Sequence, residues 1–470
     1  MTKEKISRRE FLTQSALIGA AGAVAAVGGS TLLTSCGDGK KKPKPLVSDI
    51  APYYPEMGDK AIEGKALKAA MVGCGSRGGG VAENFLDSAD GVSIVAMVDI
   101  FPDRLESLRR RLKERKGVEI ADSRIFYGFE AYKKVCEDPD IDIVLIATPS
   151  IFHAQQTKYA IECGKHVFCE KAAGIDPVTC RTMMAAVKQA QDKNLVLMTG
   201  TQRHHRRDYN AAYKLVREGA IGRITNGVVK WNQGHMGYRD RLPEWSDMEY
   251  MLRDFFSWNW LCGDHVIDQL VHNIDVWQWF SHLKPVSCVA MGSQLQRKTG
   301  DIYDNFAIDF LYDDNVRVNG QARQIDGCAN YTGEFIYGTD GYLTMKDDNK
   351  MLFIKDYNEN VIWEYDWKAQ DEQFKQNDPY VLEHLDMVNQ IRSGNIVPQA
   401  ETTVISSLTG AMARESAYTG KEIMYNEFLT SNLSLMLDPL PAPTDNIPGF
   451  KEKFVVPKAG QAPPPNRRRS

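Results

Sequence analysis

The run Gly73-Cys74-Gly75-Ser76-Arg77-Gly78 constrains this chain more than any other feature, because of what flanks it. Ala66 to Val72 reads as a short apolar strand, and Val81 to Leu86 has helical spacing. In a strand–glycine turn–helix unit each glycine has its own task. The first allows the tight turn, the second lets the backbone approach a pyrophosphate, and the third lets helix pack on strand with helix N–H groups facing the phosphates. A second apolar run, Val92 to Val98, ends at Asp99, 21 residues beyond Gly78, where an acid can bind the adenosine ribose hydroxyls. A carboxylate there repels a 2′-phosphate, which favours NAD over NADP. Arg104 either softens that preference or is an exposed helix arginine.

The alternation continues with strands at Ile143 to Ala147, His166 to Cys169 and Leu195 to Thr199, and helices at Ala154 to Cys163 and Pro177 to Asp192. Repeated strand–helix–strand units predict an α/β fold with a doubly wound parallel Rossmann sheet. Ligands in such sheets bind beyond the carboxyl ends of the strands. Thr148, Pro149, His153, Glu170, Lys171 and Gln202 fall there and join Gly73, Gly75, Ser76, Arg77, Gly78 and Asp99 as candidate cofactor-binding residues. After the last of these strands comes the polar run Arg203 to Asp208, in which Arg203 and His204 are placed to reach substrate, with Tyr209 opening the next helix.

The second half reads as an α+β domain with an open, mainly antiparallel sheet. Alternating runs occur at Phe306 to Leu311, Val316 to Ala322, Glu334 to Tyr337 and Leu352 to Lys355, Gly338 to Gly341 reads as a hairpin turn, and Tyr380 to Ile391 and Thr402 to Tyr418 are amphipathic helices. Gly263 to Trp279 is expected to form one helix. At about 100° per residue His265, Asp268, His272 and Asp275 share an arc of roughly 80°, while Val266, Leu270 and Trp277 point away. With Trp258, Trp260 and Trp279 close in sequence, that polar face suits the wall of a sugar cleft. Trp231 to Trp260 has little periodicity and suits a lid or specificity loop.

The expected organisation is a leader over 1–36, a tether over 37–65, a nucleotide-binding domain over 66–200, a substrate domain over 201–436 and a Pro-rich tail over 437–470, either disordered or wrapped around a neighbour. The leader carries Ser7-Arg8-Arg9-Glu10-Phe11-Leu12, then an apolar stretch with four glycines from Ala16 to Leu33, and ends in Leu33-Thr34-Ser35-Cys36. It resembles a twin-arginine export signal joined to a lipobox, so the chain is expected outside the cytoplasm, touching membrane only through lipid on Cys36. A net charge of −4 and a pI near 6.2 give no field that would gather nucleic acid. Eight cysteines follow Cys36, expected to be packed thiols with at most one bridge, and no zinc-type spacing predicts a metal.

Taken in series, the glycine turn, Ala147-Thr148-Pro149 with His153, Glu170-Lys171 and Asp268-x-x-x-His272 resemble the Gfo/Idh/MocA family of glucose-fructose oxidoreductase, inositol dehydrogenase and their relatives, over roughly Ala66 to Met424. The resemblance implies that Lys171 stands beside the nicotinamide and acts in catalysis, although Ala172 replaces the family's proline. Chemistry points the same way, since oxidising a carbinol requires a base or a polarising cation close to its oxygen. His272 is the expected general acid/base and Asp268 its partner, and His265, Asp268 and His272 are candidate substrate contacts beside Arg203, His204 and Tyr209. The family's open sheet also implies a homo-oligomer.

An exported NAD enzyme has no soluble nicotinamide pool to exchange with, so its cofactor is expected to stay bound and to be recycled in place. This favours a sugar oxidoreductase that recycles hydride internally. The alternative is an NAD-dependent glycoside hydrolase, as among the family's exported N-acetylgalactosaminidases, which oxidises transiently, eliminates, adds water and re-reduces. An inactive sugar-binding lipoprotein is the alternative from another class.

Overall fold

In the computed structural model the described residues are 57–347 and 350–461. The leader, Cys36 and most of the tether lie outside them.

The first sheet has six parallel strands: β1 (Leu67–Val72), β2 (Val92–Asp99), β3 (Ile125–Tyr127), β4 (Ile143–Ile146), β5 (His166–Cys169) and β6 (Leu197–Thr199). Their order, β3-β2-β1-β4-β5-β6, is the doubly wound Rossmann order, with its switch point between β1 and β4. Interior strands buried on both faces explain the near-continuous apolar runs: β4 is buried throughout, and β1 at all positions but Lys68.

The second sheet has nine strands in the order β14-β13-β12-β11-β7-β10-β9-β8-β15. In chain order these are β7 (Ile224–Gln233), β8 (Pro285–Ser293), β9 (Asn305–Tyr312), β10 (Val316–Gln324), β11 (Tyr331–Gly338), β12 (Gly341–Lys346), β13 (Met351–Asp356), β14 (Val361–Glu364) and β15 (Ile423–Met424). All neighbours are antiparallel except β7 and β10. The Gly338 to Gly341 turn joins β11 to β12 as expected.

Three expectations need correction. The region taken for a lid or specificity loop, from Trp231, begins with the last three residues of the inner strand β7, whose buried positions are only Gly227 and Val229, too few for a period-two signal. Gly263 to Trp279 is two helices, His265–Asp268 and Val271–Ser281, separated at Gln269 and Leu270. The second is buried on every side, so it has no open polar face. The tail is not free through residue 461, since its Ile447 and Phe454 are buried in the main core and Leu440 and Phe450 pack against it. The eight cysteines after Cys36 are free thiols, six of them buried, in keeping with the expected packed thiols.

The helix Pro379–Ser393 returns to the first domain and packs on Ser76–Ser88. Its Met387 and Val388 join Leu67, Phe85 and Phe168 in one buried cluster.

Candidate active site

The glycine turn is built as a cradle. Gly73 has φ +92°, and a side chain there would lie 2.6 Å from the Ala147 carbonyl oxygen. At Gly78 a Cβ would sit 1.9 Å from the Gly73 oxygen, so helix and turn touch only because Gly78 lacks one. Gly75 differs: its Cβ would meet nothing nearer than Arg104 Nη1, at 4.0 Å. That open side faces a cleft of about 840 Å³. Gly75 precedes the helix Ser76–Ser88, which no side chain caps, so its first N–H groups are available to an anion.

Asp99 ends β2 in the same cleft, 7% exposed. Its Oδ2 accepts the Cys74 N–H at 2.7 Å and its Oδ1 the Phe101 N–H at 2.9 Å, which ties the carboxylate to the glycine turn. Burial raises its pKa, while nearby Arg104 pulls it back. An open Gly75, free helix N–H groups and a carboxylate at the end of β2 are what a pyrophosphate and a ribose require, so these residues fit a dinucleotide.

The remaining expected cofactor residues lie at the ends of β4, β5 and β6. Thr148 and Pro149 line the cleft. His153 lies behind them, its Nε2 2.7 Å from the Thr148 oxygen and its Nδ1 2.8 Å from the Ala172 oxygen, and it thereby joins the two strand ends. Glu170 Oε1 accepts from Arg77 Nε at 2.6 Å, and Arg77 also lies 3.5 Å from Glu383 and 4.5 Å from the centre of the Tyr380 ring. Gln202 Nε2 donates to the Tyr380 hydroxyl at 3.2 Å. Tyr380 and Glu383 lie on the returning helix, in a region the sequence reading treated only as an amphipathic packing element. Nothing local to that segment points to the glycine turn.

Lys171 reaches across the domains. Its Nζ donates to the Asp268 carbonyl and lies 3.3 Å from Asp268 Oδ1, with 15% of the lysine side chain exposed. Asp268 Oδ2 also accepts from Gln269 at 2.7 Å. The Lys171–Ala172 peptide, where the family has proline, is cis. His272 is 6% exposed, stacked on Trp231 at 5.5 Å. Burial holds its pKa well below the ordinary range, and the positive charges of Lys171, Arg203 and Arg77 push it further down. The imidazole is therefore neutral near pH 7, with a lone pair open to a proton but a weaker base than an ordinary histidine, and it is a poor proton donor. Lys171, Asp268 and His272 thus form one cluster where the two domains meet.

The other expected substrate contacts are engaged inside the protein. Arg203 binds Glu334 at 2.5 Å and also pairs with Asp347. Tyr209 donates to Glu334 at 3.1 Å and to Asp347 at 3.3 Å. His204 Nε2 meets Asp275 at 2.5 Å, and the ring stacks on Trp279 at 4.3 Å. His265 Nδ1 meets Gln324 Nε2 at 2.6 Å, and burial lowers its pKa to about 3. Neither His204 nor Tyr209 faces an open wall, because a polar run after a strand can pair inward when a second domain covers it. The expected tryptophan wall is also interior: Trp258, Trp260 and Trp279 are each at most 5% exposed.

Residues 67–201 match the sequence family described as the oxidoreductase family with an NAD-binding Rossmann fold, and residues 209–344 match the Gfo/Idh/MocA C-terminal domain. The chain is 34% identical over 149 residues to levoglucosan dehydrogenase of Pseudarthrobacter phenanthrenivorans, covering 31% of this chain and 37% of that one. It is 39% identical over 112 residues to glycosyl hydrolase family 109 protein 1 of Bacteroides thetaiotaomicron, covering 24% and 23%. The matches therefore span well under half the length of these relatives. Among solved structures, scyllo-inositol dehydrogenase of Lactobacillus casei with bound NAD(H) and scyllo-inositol superposes with a TM-score of 0.59 at 23% identity, covering 77% of this chain and 99% of that one. With both family domains present in order and together covering more than half of the sequence, the chain belongs to the Gfo/Idh/MocA family.

Proposed function

We propose that this protein is an NAD-dependent oxidoreductase acting on a sugar or sugar derivative, with its nicotinamide tightly held and recycled in place. The observation that carries the reading is the cluster of Lys171, Asp268 and His272 beyond the end of β5, in a chain whose glycine turn and Asp99 fit a dinucleotide. Bound there, a nicotinamide supplies the hydride acceptor. The chain supplies the rest. Lys171 places an ammonium against the substrate oxygen and favours its alkoxide character, Asp268 fixes the direction of that ammonium, and neutral His272 accepts the hydroxyl proton. Asp99 favours NAD, because a carboxylate at the end of β2 repels a 2′-phosphate.

The relatives named as glycosyl hydrolase family 109 proteins support a second reading, in which the same lysine and histidine serve a redox-neutral glycosidase. Lipid attachment at Cys36 and residence in the cell envelope rest on the leader sequence alone, as does the need for a retained cofactor. An oligomer built through the open sheet belongs to the same proposal.

The test is to purify the full chain, assay it for bound NAD(H), and screen sugars and aryl glycosides with Lys171→Ala alongside. Sugar oxidation coupled to a second carbonyl acceptor supports the oxidoreductase. Release of aglycone without net NADH selects the glycosidase. Sugar binding without turnover, equal in both forms, overturns both. Mass analysis of the mature amino terminus, with Cys36→Ser as control, tests the lipid anchor.

A further inference from the structure

Residues 237–256 belong to the second domain, yet they form the far wall of the nucleotide cleft, with Gly237, Arg239, Leu252, Arg253 and Phe256 lining it opposite the glycine turn and Asp99. The segment is fixed from two sides. Toward the first domain, Arg253 Nη1 and Nη2 donate to the two carboxylate oxygens of Asp103 at 3.0 and 2.9 Å. The same guanidinium lies 4.0 Å from the centre of the Phe101 ring and 5.3 Å from that of Trp245. Phe101 and Asp103 follow Asp99 almost directly, so this bridge closes at the ribose end of the cleft.

On the other side runs the carboxyl-terminal arm. Ser246 Oγ donates to the Pro443 carbonyl at 2.6 Å, and the Asp247 and Met248 N–H groups donate to Asn446 Oδ1 at 3.1 Å and the Asp445 carbonyl at 3.2 Å. Ile447 N–H donates to Asp247 Oδ2 at 2.7 Å. Phe450 and Phe454 then pack on Trp258, with ring centres 5.3 and 5.8 Å away. The arm therefore grips the first turn of the helix Asp247–Arg253, whose last residue makes the bridge.

We propose that Arg253 is a positioning residue that latches the 237–256 segment across the adenosine end of the cleft, and that residues 443–454 hold this latch from behind, so that a bound dinucleotide leaves only when the Asp103 bridge opens. This rests on the nucleotide reading given above. A lone surface ion pair holds little. This one is bidentate and its guanidinium lies against two rings, which restricts it to one geometry and adds cation–π attraction. Such a closure acts on the dissociation rate, because the wall must move before the ligand can leave.

The test loads the full-length protein with NADH, removes the free nucleotide by gel filtration, and follows release by fluorescence during a chase with excess NAD. Arg253→Ala and Asp247→Ala are each expected to release NADH on the order of tenfold faster than wild type. Arg253→Lys is expected to fall between, and Asp103→Arg combined with Arg253→Asp to restore slow release, a rescue that a folding defect would not give. Equal release from wild type and Arg253→Ala, or a charge-swapped pair no slower than Arg253→Ala, overturns the latch while leaving the nucleotide reading in place. Unchanged release from Asp247→Ala overturns the role of the arm. A wild-type protein that takes up no NADH overturns the latch and the nucleotide reading together.

Discussion

The two ends of the candidate site are made in opposite ways. At the glycine turn, backbone shape does most of the work, and the residues involved, Gly73 to Asp99, lie close together in sequence. At the other end, side chains do the work. Lys171 and Asp268 are 97 positions apart, and Arg203 and Glu334, in the network beside His272, are 131 apart. The first end depends on steric limits that only glycine meets. The second depends on charges that find partners only when the two domains pack.

Breaking the second end alone gives the largest expected effect. Lys171→Ala should lower kcat/KM by about 10²- to 10⁴-fold, while NADH titration stays near wild type. An equal loss of NADH binding would mean that the two ends are not separable. Gly78→Ala is the reverse break. Its methyl would meet the Gly73 oxygen at 1.9 Å, and urea unfolding is expected to show a loss of about 3 kcal/mol, with NADH affinity falling alongside. Asp99→Asn is a gentler change at the same end, because its amide oxygen keeps an acceptor for one of the two N–H groups, of Cys74 and Phe101, that the carboxylate binds. The ratio of NADPH to NADH affinity should rise on the order of tenfold, and an unchanged ratio would remove Asp99 from cofactor choice.

Two pH measurements sharpen the contrast further. Because burial and neighbouring cations hold His272 neutral, kcat/KM should show no inflection near the ordinary histidine value of about 6.5. A limb there that vanishes in His272→Gln would show an ordinary imidazole instead. The smallest effect concerns Asp264, which accepts the His265 N–H at the start of the helix carrying Asp268, and whose pKa burial raises to about 7. The unfolded carboxyl, near 3.9, gives up its proton first, so between about pH 4 and 7 the native state holds more protons and stability falls as pH rises. Asp264→Asn should flatten that slope in Tm measured at pH 5 and pH 8.

The same contrast decides what the sequence could reveal. Five of the six Rossmann strands were legible because buried parallel strands are largely apolar, and the glycine turn because its flanks supply context, whereas the three-residue edge strand β3, with no fully buried position, gave no such run. Lys171 was legible through its resemblance to a family pattern, and Asp268 and His272 through that pattern and a helical arc drawn over one helix where the chain makes two. Strand β7 was missed because both of its faces mix polar and apolar residues, and the face that holds Val229 and Trp231 also holds Gly227, which lies against Trp277. His204 and Tyr209 were read as outward-facing because Asp275 and Glu334, which hold them, lie 71 and 125 residues away. The arm had no period to read, since it follows a surface already formed by other elements and makes only one short helix of its own, Phe450–Lys453.

Met387 and Val388 have a consequence for how the molecule comes into being. They seal the flank of a core that otherwise belongs to Leu67, Phe85 and Phe168, hundreds of residues earlier. While the ribosome is still making the second sheet, the coenzyme-binding half stands with one side wet and greasy, its helix Ser76–Ser88 waiting for a neighbour not yet translated. Cutting the polypeptide after Gly200 would strand it in that condition, so the sequence families divide the chain at a point where its folding does not.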